Sequence, residues 1–355
     1  MRSVFPAILI VAAAFAAANA QSGRVKPTET PTPKSGTSII IAGPTPANRE
    51  GPGPAGTSTP KPKEDADIIK VSSTLVPIPV SALDAKGRAV TNLQIKDFDL
   101  SVDGKAADIG EMTRSEAPIR LAMLFDNSSS VTLARDFEKE AAVKFFRRVV
   151  RPDRDMAALF SLSDFTRLEQ PLTQDLPLLT RAIDLFPDPK GATALLDGII
   201  EVANYLKAAQ GRRVVIIVSD GEDTYSDMRT TLEDVIRALQ INDCQVFVVK
   251  TKDFENYKRT GVRGGNANIR ALTAERRMNE ITQQTGGAVY SPIDEAELDR
   301  AFDQISAELS QQYILSYYPE GEAEKRGEFR SIAVKIKNKP DISVRTRKGY
   351  YVPGK

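Results

Sequence analysis

Residues 121–130 read Leu-Ala-Met-Leu-Phe-Asp-Asn-Ser-Ser-Ser, an unbroken apolar run followed by a polar turn. A short apolar run bounded by turn-forming residues is typical of a buried strand in a parallel sheet. Asp126, Ser128 and Ser130 then fall on the loop at the carboxyl end of that strand, where open α/β sheets bind ligands. One carboxylate and two hydroxyls suit a hard cation such as Mg²⁺, which takes few protein ligands and keeps several waters. The alternative interpretation is a polar turn that caps the next helix.

The composition excludes several kinds of active site. The chain has 355 residues, enough for one or two domains, and it contains no histidine. This excludes Ser-His-Asp and Cys-His catalysis and most zinc and iron sites. The single cysteine, Cys244, lies in an apolar run and is predicted to be a buried, inert thiol. A net charge of +1 without a run of Lys and Arg argues against a nucleic-acid surface.

The N-terminal segment has the pattern of a secretory signal peptide. Arg2 precedes an apolar stretch that ends in Ala18-Asn19-Ala20, so cleavage is predicted after Ala20. A retained membrane anchor is the alternative, although the run is short for a span. We therefore expect a secreted or periplasmic chain without a membrane span. Residues 21–66 are rich in Pro, Thr, Ser and Gly and are predicted to form a disordered spacer.

The hydrophobic periodicity divides the remaining chain into three parts. Residues 119–311 alternate strands with helices, which predicts a doubly wound, mostly parallel α/β sheet with helices on both faces. Residues 67–118 and 312–355 have the period of two that is typical of strands. Because each of these β segments is too short to be stable alone, we expect them to pair into one small β domain around the α/β domain. Two separate β appendages are the alternative.

Two local patterns predict less regular structure. Pro77 and Pro79 alternate with apolar residues, which is typical of an edge strand or an extended segment. The fifteen or so residues after Thr251 contain several glycines and are predicted to form a loop.

Two further loops are predicted to lie at the same edge of the sheet as Asp126. The first loop, residues 191–193, places Thr193 directly before a helix. Thr193 is a candidate ligand there, and its alternative role is that of an ordinary N-cap. A second apolar strand ends at Asp220, and Gly221 permits a tight turn after it. The two carboxylates would repel each other at this edge without a cation, so the arrangement favours a metal site. Glu222 and Asp223 are expected to be solvent-facing acids around the site.

These residues, in this order, resemble the metal-ion-dependent adhesion site of the von Willebrand factor type A (VWA, or VWFA) domain, and the resemblance covers residues 119–311. Secreted bacterial VWFA-related proteins are also similar in four further segments: Asp97-Phe98 before Asp103-Gly104, the Thr285-Gly286-Gly287 turn, the Gln312-Tyr313 strand, and Arg345–Tyr351.

The resemblance implies an extracytoplasmic binding or adhesion module and not an enzyme. Asp126, Ser128 and Ser130 would hold Mg²⁺ or Mn²⁺, Thr193 would bind directly or through water, and Asp220 mostly through water. An exposed Asp or Glu of a protein partner would complete the coordination shell. In some relatives the last helix, here residues 295–311, moves between affinity states.

Two other functions remain as alternatives at this stage. A metal-dependent hydrolase or phosphatase could act through Asp126 and Asp220. Against it, the sequence shows no lysine at an obvious phosphate-binding position, no histidine, and no carboxylate two residues after Asp126. The third possibility is an envelope scaffold in which the metal site is idle.

Overall fold

A computed structural model of the chain describes residues 75–114, 117–129, 132, 135–263, 268–319 and 326–352. The predicted signal peptide, the spacer and Ser130 lie outside the described residues. All the described residues belong to one compact unit, Ile69–Lys355. Within those ranges, no helix is both long enough and apolar enough to cross a membrane.

The described residues form strands and helices in a fixed order along the chain. The strands are β1 (Val76–Leu83), β2 (Phe98–Val102), β3 (Lys105–Ala107), β4 (Glu111–Arg114), β5 (Ile119–Asp126), β6 (Met156–Leu162), β7 (Thr166–Thr173), β8 (Arg212–Ser219), β9 (Cys244–Lys250), β10 (Val289–Tyr290), β11 (Tyr313–Tyr317), β12 (Phe329–Ile336), β13 (Ser343–Thr346) and β14 (Gly349–Tyr351). The helices are α1 (Arg135–Val149), α2 (Leu176–Asp184), α3 (Leu195–Leu206), α4 (Leu232–Ile241), α5 (Lys252–Thr260), α6 (Ile269–Thr285) and α7 (Glu295–Gln311).

The central sheet has the strand order β10-β9-β8-β5-β6-β7. All neighbouring strands are parallel except β7, which is antiparallel to β6 at the edge. Leu121, Met123 and Phe125 of β5 face a core shared with α1, α2 and α7. Ala122 and Leu124 face a second core shared with α3, α4 and α6. Both faces of β5 are therefore buried, which explains its unbroken apolar sequence, and the predicted doubly wound α/β fold is confirmed.

Strands from both flanking segments share two further sheets. One has the order β13-β1-β11-β4 and the other β14-β12-β2-β3. β1 pairs with β11 and β13, and β2 pairs with β12. The segment that precedes the α/β domain in sequence therefore pairs with the segment that follows it. The core between these sheets includes Ile78, Leu100 and Tyr313. The buried Tyr313 hydroxyl donates to the Val90 carbonyl at 3.0 Å and accepts from the Leu93 amide at 3.0 Å.

The prediction of an edge strand is wrong for β1 as a whole. Five of its residues pair with β11 on one side, and four pair with β13 on the other. Pro77 and Pro79 lie in the part that has only one neighbour, where a missing amide costs no ladder hydrogen bond. On that open side their carbonyls accept hydrogen bonds from Arg347 Nη2 at 2.8 Å and Thr346 Oγ1 at 2.9 Å.

The prediction of a loop after Thr251 is also wrong, because α5 occupies most of that stretch. Only Phe254 and Glu255 of α5 are buried, and most residues of the helix are polar or charged, so its sequence is easily taken for that of a loop. It ends at Gly261, whose φ of 69° is the left-handed conformation that glycine adopts at helix ends. Helix α2 was not predicted, although Asp175 caps it through the Leu178 amide.

Candidate metal centre

The candidate site lies at the carboxyl edge of the central sheet, where β5 and β8 end side by side. Asp126 is the last residue of β5, and Asp220 directly follows β8. The two strands are parallel, with Phe125 opposite Val218, so both aspartates leave the sheet at the same edge. Both side chains are buried, at 1% and 3% exposure. The structure therefore brings together two carboxylates that are distant in sequence.

The Asp126 carboxylate is held by hydrogen bonds at both of its oxygens. Oδ1 accepts from the Ser128 amide at 2.9 Å, and Oδ2 accepts from the Ser219 hydroxyl at 2.6 Å. The Ser219 hydroxyl also accepts from the Gly221 amide at 3.0 Å. Burial, and after it the nearby Asp220 carboxylate, raises the pKa of Asp126 to about 6. A divalent cation would relieve this repulsion between like charges.

Arg135 forms hydrogen bonds with the loop that carries Ser128. One terminal nitrogen donates to the Asp126 carbonyl at 3.1 Å, and the other donates to the Asn127 side chain. The guanidinium lies 4.9 Å from the centre of the Phe125 ring and 4.8 Å from that of Phe186. The loop backbone is thus fixed to the first turn of α1.

The loop that carries Thr193 is tied to both neighbouring loops. The Lys190 amide donates to the Asn127 carbonyl at 2.9 Å, which joins it to the segment after β5. The Thr193 carbonyl accepts from the amides of Thr224 and Tyr225 at 2.9 and 3.0 Å, which joins it to the segment after β8. Thr193 itself is buried. The three loops are therefore adjacent at this edge of the sheet, as predicted.

The alternative role of Thr193 as an ordinary N-cap is wrong. The N-cap of α3 is Ala194, which makes no side-chain cap hydrogen bond. Instead, the Leu195 amide at the start of α3 donates to Asp223 Oδ1 at 2.9 Å. The helix is therefore capped by the neighbouring loop.

Glu222 and Asp223 were expected to face solvent, but both are partly buried and engaged. Glu222 forms an ion pair with Lys252 at 3.0 Å. Lys252 Nζ also lies 3.5 Å from Asp220 Oδ2. Burial opposes the charge on Lys252, but the hydrogen bond to Glu222 and the charge of Asp220 outweigh it and raise the pKa of Lys252. The positively charged Lys252 ammonium group therefore lies next to the candidate site.

The sequence patterns missed Lys252 and Ser219 as parts of this site. Lys252 opens α5, which had been predicted as a loop. Ser219 is the last residue of an apolar strand. A hydroxyl at the carboxyl end of a buried strand could have indicated that it lies at the site. Both residues act by contacting the predicted aspartates.

The donor set fits a hard divalent cation. Asp126, Ser128, Thr193 and Asp220 are all buried at the same edge, and all present oxygen atoms, which Mg²⁺ and Mn²⁺ prefer. Among the residues that the structure describes, no group of three or more His, Cys, Asp or Glu side chains could hold a metal. A cation here would therefore need hydroxyl and water oxygens besides the two carboxylates.

Comparison with known proteins gives one family match. The family model of the von Willebrand factor type A domain matches residues 121–304. No curated protein matches the chain.

Several solved structures are similar at low sequence identity. A von Willebrand factor type A protein from Catenulispora acidiphila is 11% identical, with a TM-score of 0.45 over 78% of this chain and 73% of that chain. The PilB minor pilin from Streptococcus sanguinis is 13% identical, with a TM-score of 0.43 over 56% and 63%. The vWF domain of the type V pili tip protein Mfa5 from Porphyromonas gingivalis is 12% identical, with a TM-score of 0.41 over 54% and 94%. The chain spans less than two thirds of the PilB structure.

Proposed function

The chain belongs to the von Willebrand factor type A family, and we propose that it is a binding module that captures an acidic side chain of a protein partner through a divalent cation. The observation that carries the proposal is the meeting of four buried oxygen-bearing side chains, Asp126, Ser128, Thr193 and Asp220, at one sheet edge. Ser130, outside the described residues, is proposed as a fifth ligand. The chain would act outside the cytoplasm, following its predicted signal peptide.

The residues of the chain would fix the cation and leave part of its coordination shell open. Asp126 is already oriented by Ser128 and Ser219 before a cation arrives. Asp220 is constrained by the Glu222 amide, which donates to its Oδ1 at 2.9 Å. When bound, Mg²⁺ or Mn²⁺ would supply a positive charge and an open coordination position for a carboxylate of the partner. Because few protein charges neutralise it, such a cation keeps its attraction for an acidic group.

Exposed apolar side chains around this edge favour a protein as the partner. Of the residues that the structure describes, six large apolar side chains are at least 62% exposed. All six lie on segments at the carboxyl edge of the sheet: Phe165 after β6, Leu185 after α2, Tyr225 and Met228 after β8, Val262 after α5, and Ile269 at the start of α6. Exposed apolar groups around a polar centre are typical of protein interaction surfaces. We call these six residues the apolar rim.

A peptide array tests this proposal directly. Immobilised peptides would be made in pairs that differ only by Asp or Asn, and the chain would be applied in Mg²⁺ or in EDTA. Binding should require both the Asp peptide and Mg²⁺, and Asp126→Ala should abolish it. Asp99→Ala, which removes an exposed aspartate of β2, is the matched control and should bind normally. Binding that survives EDTA and Asp126→Ala would instead indicate a scaffold with an idle metal site.

The apolar rim provides a second, independent test. Tyr225→Ser should weaken binding of an Asp peptide with apolar neighbours but leave Mn²⁺ affinity unchanged, since the Tyr225 side chain is exposed. Ile241→Ser changes an exposed apolar residue at the end of α4, at the opposite edge, and should have no effect. Equal effects of the two changes would contradict a role of the rim.

One observation favours the alternative of a metal-dependent phosphatase. Lys252 supplies, 3.5 Å from Asp220, the cationic group that the sequence patterns did not show. However, both oxygens of Asp126 accept hydrogen bonds, which reduces the nucleophilicity of this carboxylate. Turnover of p-nitrophenyl phosphate that is lost in Asp126→Asn but survives Ser128→Ala would favour the phosphatase.

A further inference from the structure

A second group of buried oxygens lies between the first turns of α1 and α5. Glu138 is on α1, Thr251 precedes α5, and Glu255 is on α5. All three residues are buried. Neither carboxylate oxygen of Glu138 has a hydrogen-bond partner, and the same holds for Thr251 Oγ1 and Glu255 Oε1. Buried polar groups without partners are rare in native proteins and call for an explanation.

Several contacts bring these three residues together next to the proposed metal centre. The rings of Phe137 and Phe254, the residues before the two glutamates, lie 6.0 Å apart between centroids. The Thr251 amide donates to the Ser219 carbonyl at 3.1 Å, and the Glu255 amide donates to the Thr251 carbonyl at 3.0 Å. Thr251 is thus fixed to the residue whose hydroxyl orients Asp126.

The Thr251 hydroxyl is directed at this group and not at its own helix. Thr251 is the N-cap residue of α5, but its side chain makes no cap hydrogen bond. It lies close enough to the Glu138 carboxyl to lower the pKa of that group, although outside hydrogen-bond geometry. The hydroxyl of Thr251 and the carboxyl group of Glu138 therefore lie next to each other.

No neighbouring cation of the chain satisfies the two glutamates. Arg135 attracts Glu138, but its terminal nitrogens donate to Asp126 and Asn127. Lys252 is engaged by Glu222 and Asp220. Burial, and after it the Glu255 carboxylate, raises the pKa of Glu138 well above its usual range. Burial, and after it the Asp220 carboxylate, raises the pKa of Glu255 to about 8.

We propose that Glu138, Thr251 and Glu255 bind a second divalent cation, distinct from the one at Asp126. Two carboxylates and a hydroxyl are the ligand types that hard cations such as Mg²⁺, Mn²⁺ and Ca²⁺ take. The charge of the whole region agrees with two cations. When ionised, the four buried carboxylates at Asp126, Glu138, Asp220 and Glu255, together with Glu222, carry one more negative charge than a single divalent cation, Arg135 and Lys252 neutralise.

Counting Mn²⁺ per chain tests the proposal. The full chain would be dialysed against Mn²⁺ at about pH 8 and the bound metal measured by elemental analysis. We expect two Mn²⁺ per chain in the wild type, one in Glu138→Gln, one in Asp126→Ala, and none when both changes are combined. Glu140→Gln changes an exposed glutamate on the same helix and should keep two. Circular dichroism and thermal unfolding would show that each variant is folded.

A milder change gives a second measurement. Thr251→Val removes the hydroxyl and keeps the side-chain shape, and it should weaken the second Mn²⁺ about tenfold or more. Retention of all bound Mn²⁺ at wild-type affinity in Glu138→Gln would overturn the proposal and indicate that the glutamates are simply protonated. A single Mn²⁺ that is lost in Glu138→Gln and retained in Asp126→Ala would uphold this site and refute the proposed metal at Asp126. No Mn²⁺ in the wild type would overturn both.

Discussion

Replacing Ser219 by alanine tests whether the chain orients Asp126 before a cation arrives. Ser219 is fully buried at the end of β8. Its hydroxyl donates to Asp126 Oδ2 at 2.6 Å and accepts from the Gly221 amide at 3.0 Å. Alanine removes both hydrogen bonds with little change in volume. Gly221 has a φ of 81°, so its amide is held in place by a turn that glycine favours.

The size of the effect follows from these two contacts. A hydrogen bond to a charged group contributes about 1.5–3 kcal/mol, and a buried amide left without a partner costs about 1–3 kcal/mol. The two contributions share one hydroxyl and are not additive. We therefore expect Ser219→Ala to lower the free energy of unfolding by about 3 kcal/mol. Mn²⁺ affinity should also fall at least about tenfold, because residues that orient a metal ligand affect affinity to that extent.

Urea unfolding in EDTA, followed by Mn²⁺ titration calorimetry, would measure both effects. Ser161→Ala is the matched control: this serine is also near the end of a strand of the same sheet, and its hydroxyl also donates to a carboxylate, Glu169. Glu169 is partly exposed, so the control should lose less than about 1 kcal/mol. If Ser219→Ala unfolds at the wild-type urea concentration and binds Mn²⁺ normally, Asp126 is not held as described.

Four further changes have defined outcomes. Burial opposes ionisation of Asp155, but its hydrogen bonds with Arg151 and backbone amides hold its pKa below the usual range. The stabilisation is therefore present above about pH 4 and declines as the pH falls further. Asp155→Asn should cost about 1.5 kcal/mol in urea unfolding at neutral pH and progressively less as the pH falls below about 4. A Cβ on Gly287 would lie 1.7 Å from a backbone oxygen of β9, so Gly287→Ala should lower the free energy of unfolding by about 3 kcal/mol or more in thermal unfolding. Gly261→Ala is the control: nothing lies within 4 Å of its Cβ, and it should lower the free energy of unfolding by about 1 kcal/mol. Lys252→Gln removes a competing cation and should strengthen Mn²⁺ binding about fivefold in calorimetry. Hydrogen exchange of the last turn of α7 should not change on adding Mn²⁺ and an Asp peptide, because polar contacts join that turn to β1, β8 and β13.

Those contacts gather at the end of α7. The fully buried Gln312 donates to Ser81 Oγ of β1 at 2.8 Å, and Arg212 donates to the Leu309 carbonyl at 2.9 Å. Glu308 of the same turn forms an ion pair with Arg345 of β13 at 2.9 Å. A shift of the helix along its axis would break all of them, at about 1–3 kcal/mol each. Faster exchange in this turn on ligand binding would show that the helix moves after all.

The sequence predicted best the features that are encoded within single segments. The strands that end at Asp126 and Asp220 are apolar runs followed by turn residues, and the topology of parallel sheets then places both ends at one edge. Helix α7 has clear apolar periodicity and was predicted at its observed bounds, residues 295–311. In each case the signal does not depend on distant residues.

The features that the sequence did not predict depend on contacts between distant segments. The hydrogen bond between Ser219 and Asp126 joins residues 93 positions apart. Helix α5 places Lys252 at the site, yet it contains few apolar residues and buries only Phe254 and Glu255, so its sequence contains little sign of a packed helix. The central position of β1 was hidden because its prolines lie where the strand has one neighbour.

Thr193 shows why a local motif alone does not assign a role. A threonine before a helix is most often an N-cap, because its hydroxyl accepts a hydrogen bond from a first-turn amide. Here Asp223, from the loop after β8, takes the Leu195 amide of α3 instead. Since the helix gets its cap from another loop, Thr193 is not needed for that purpose. Asp223 lies 28 positions from Leu195, so the local sequence around Thr193 could not show that the cap comes from elsewhere.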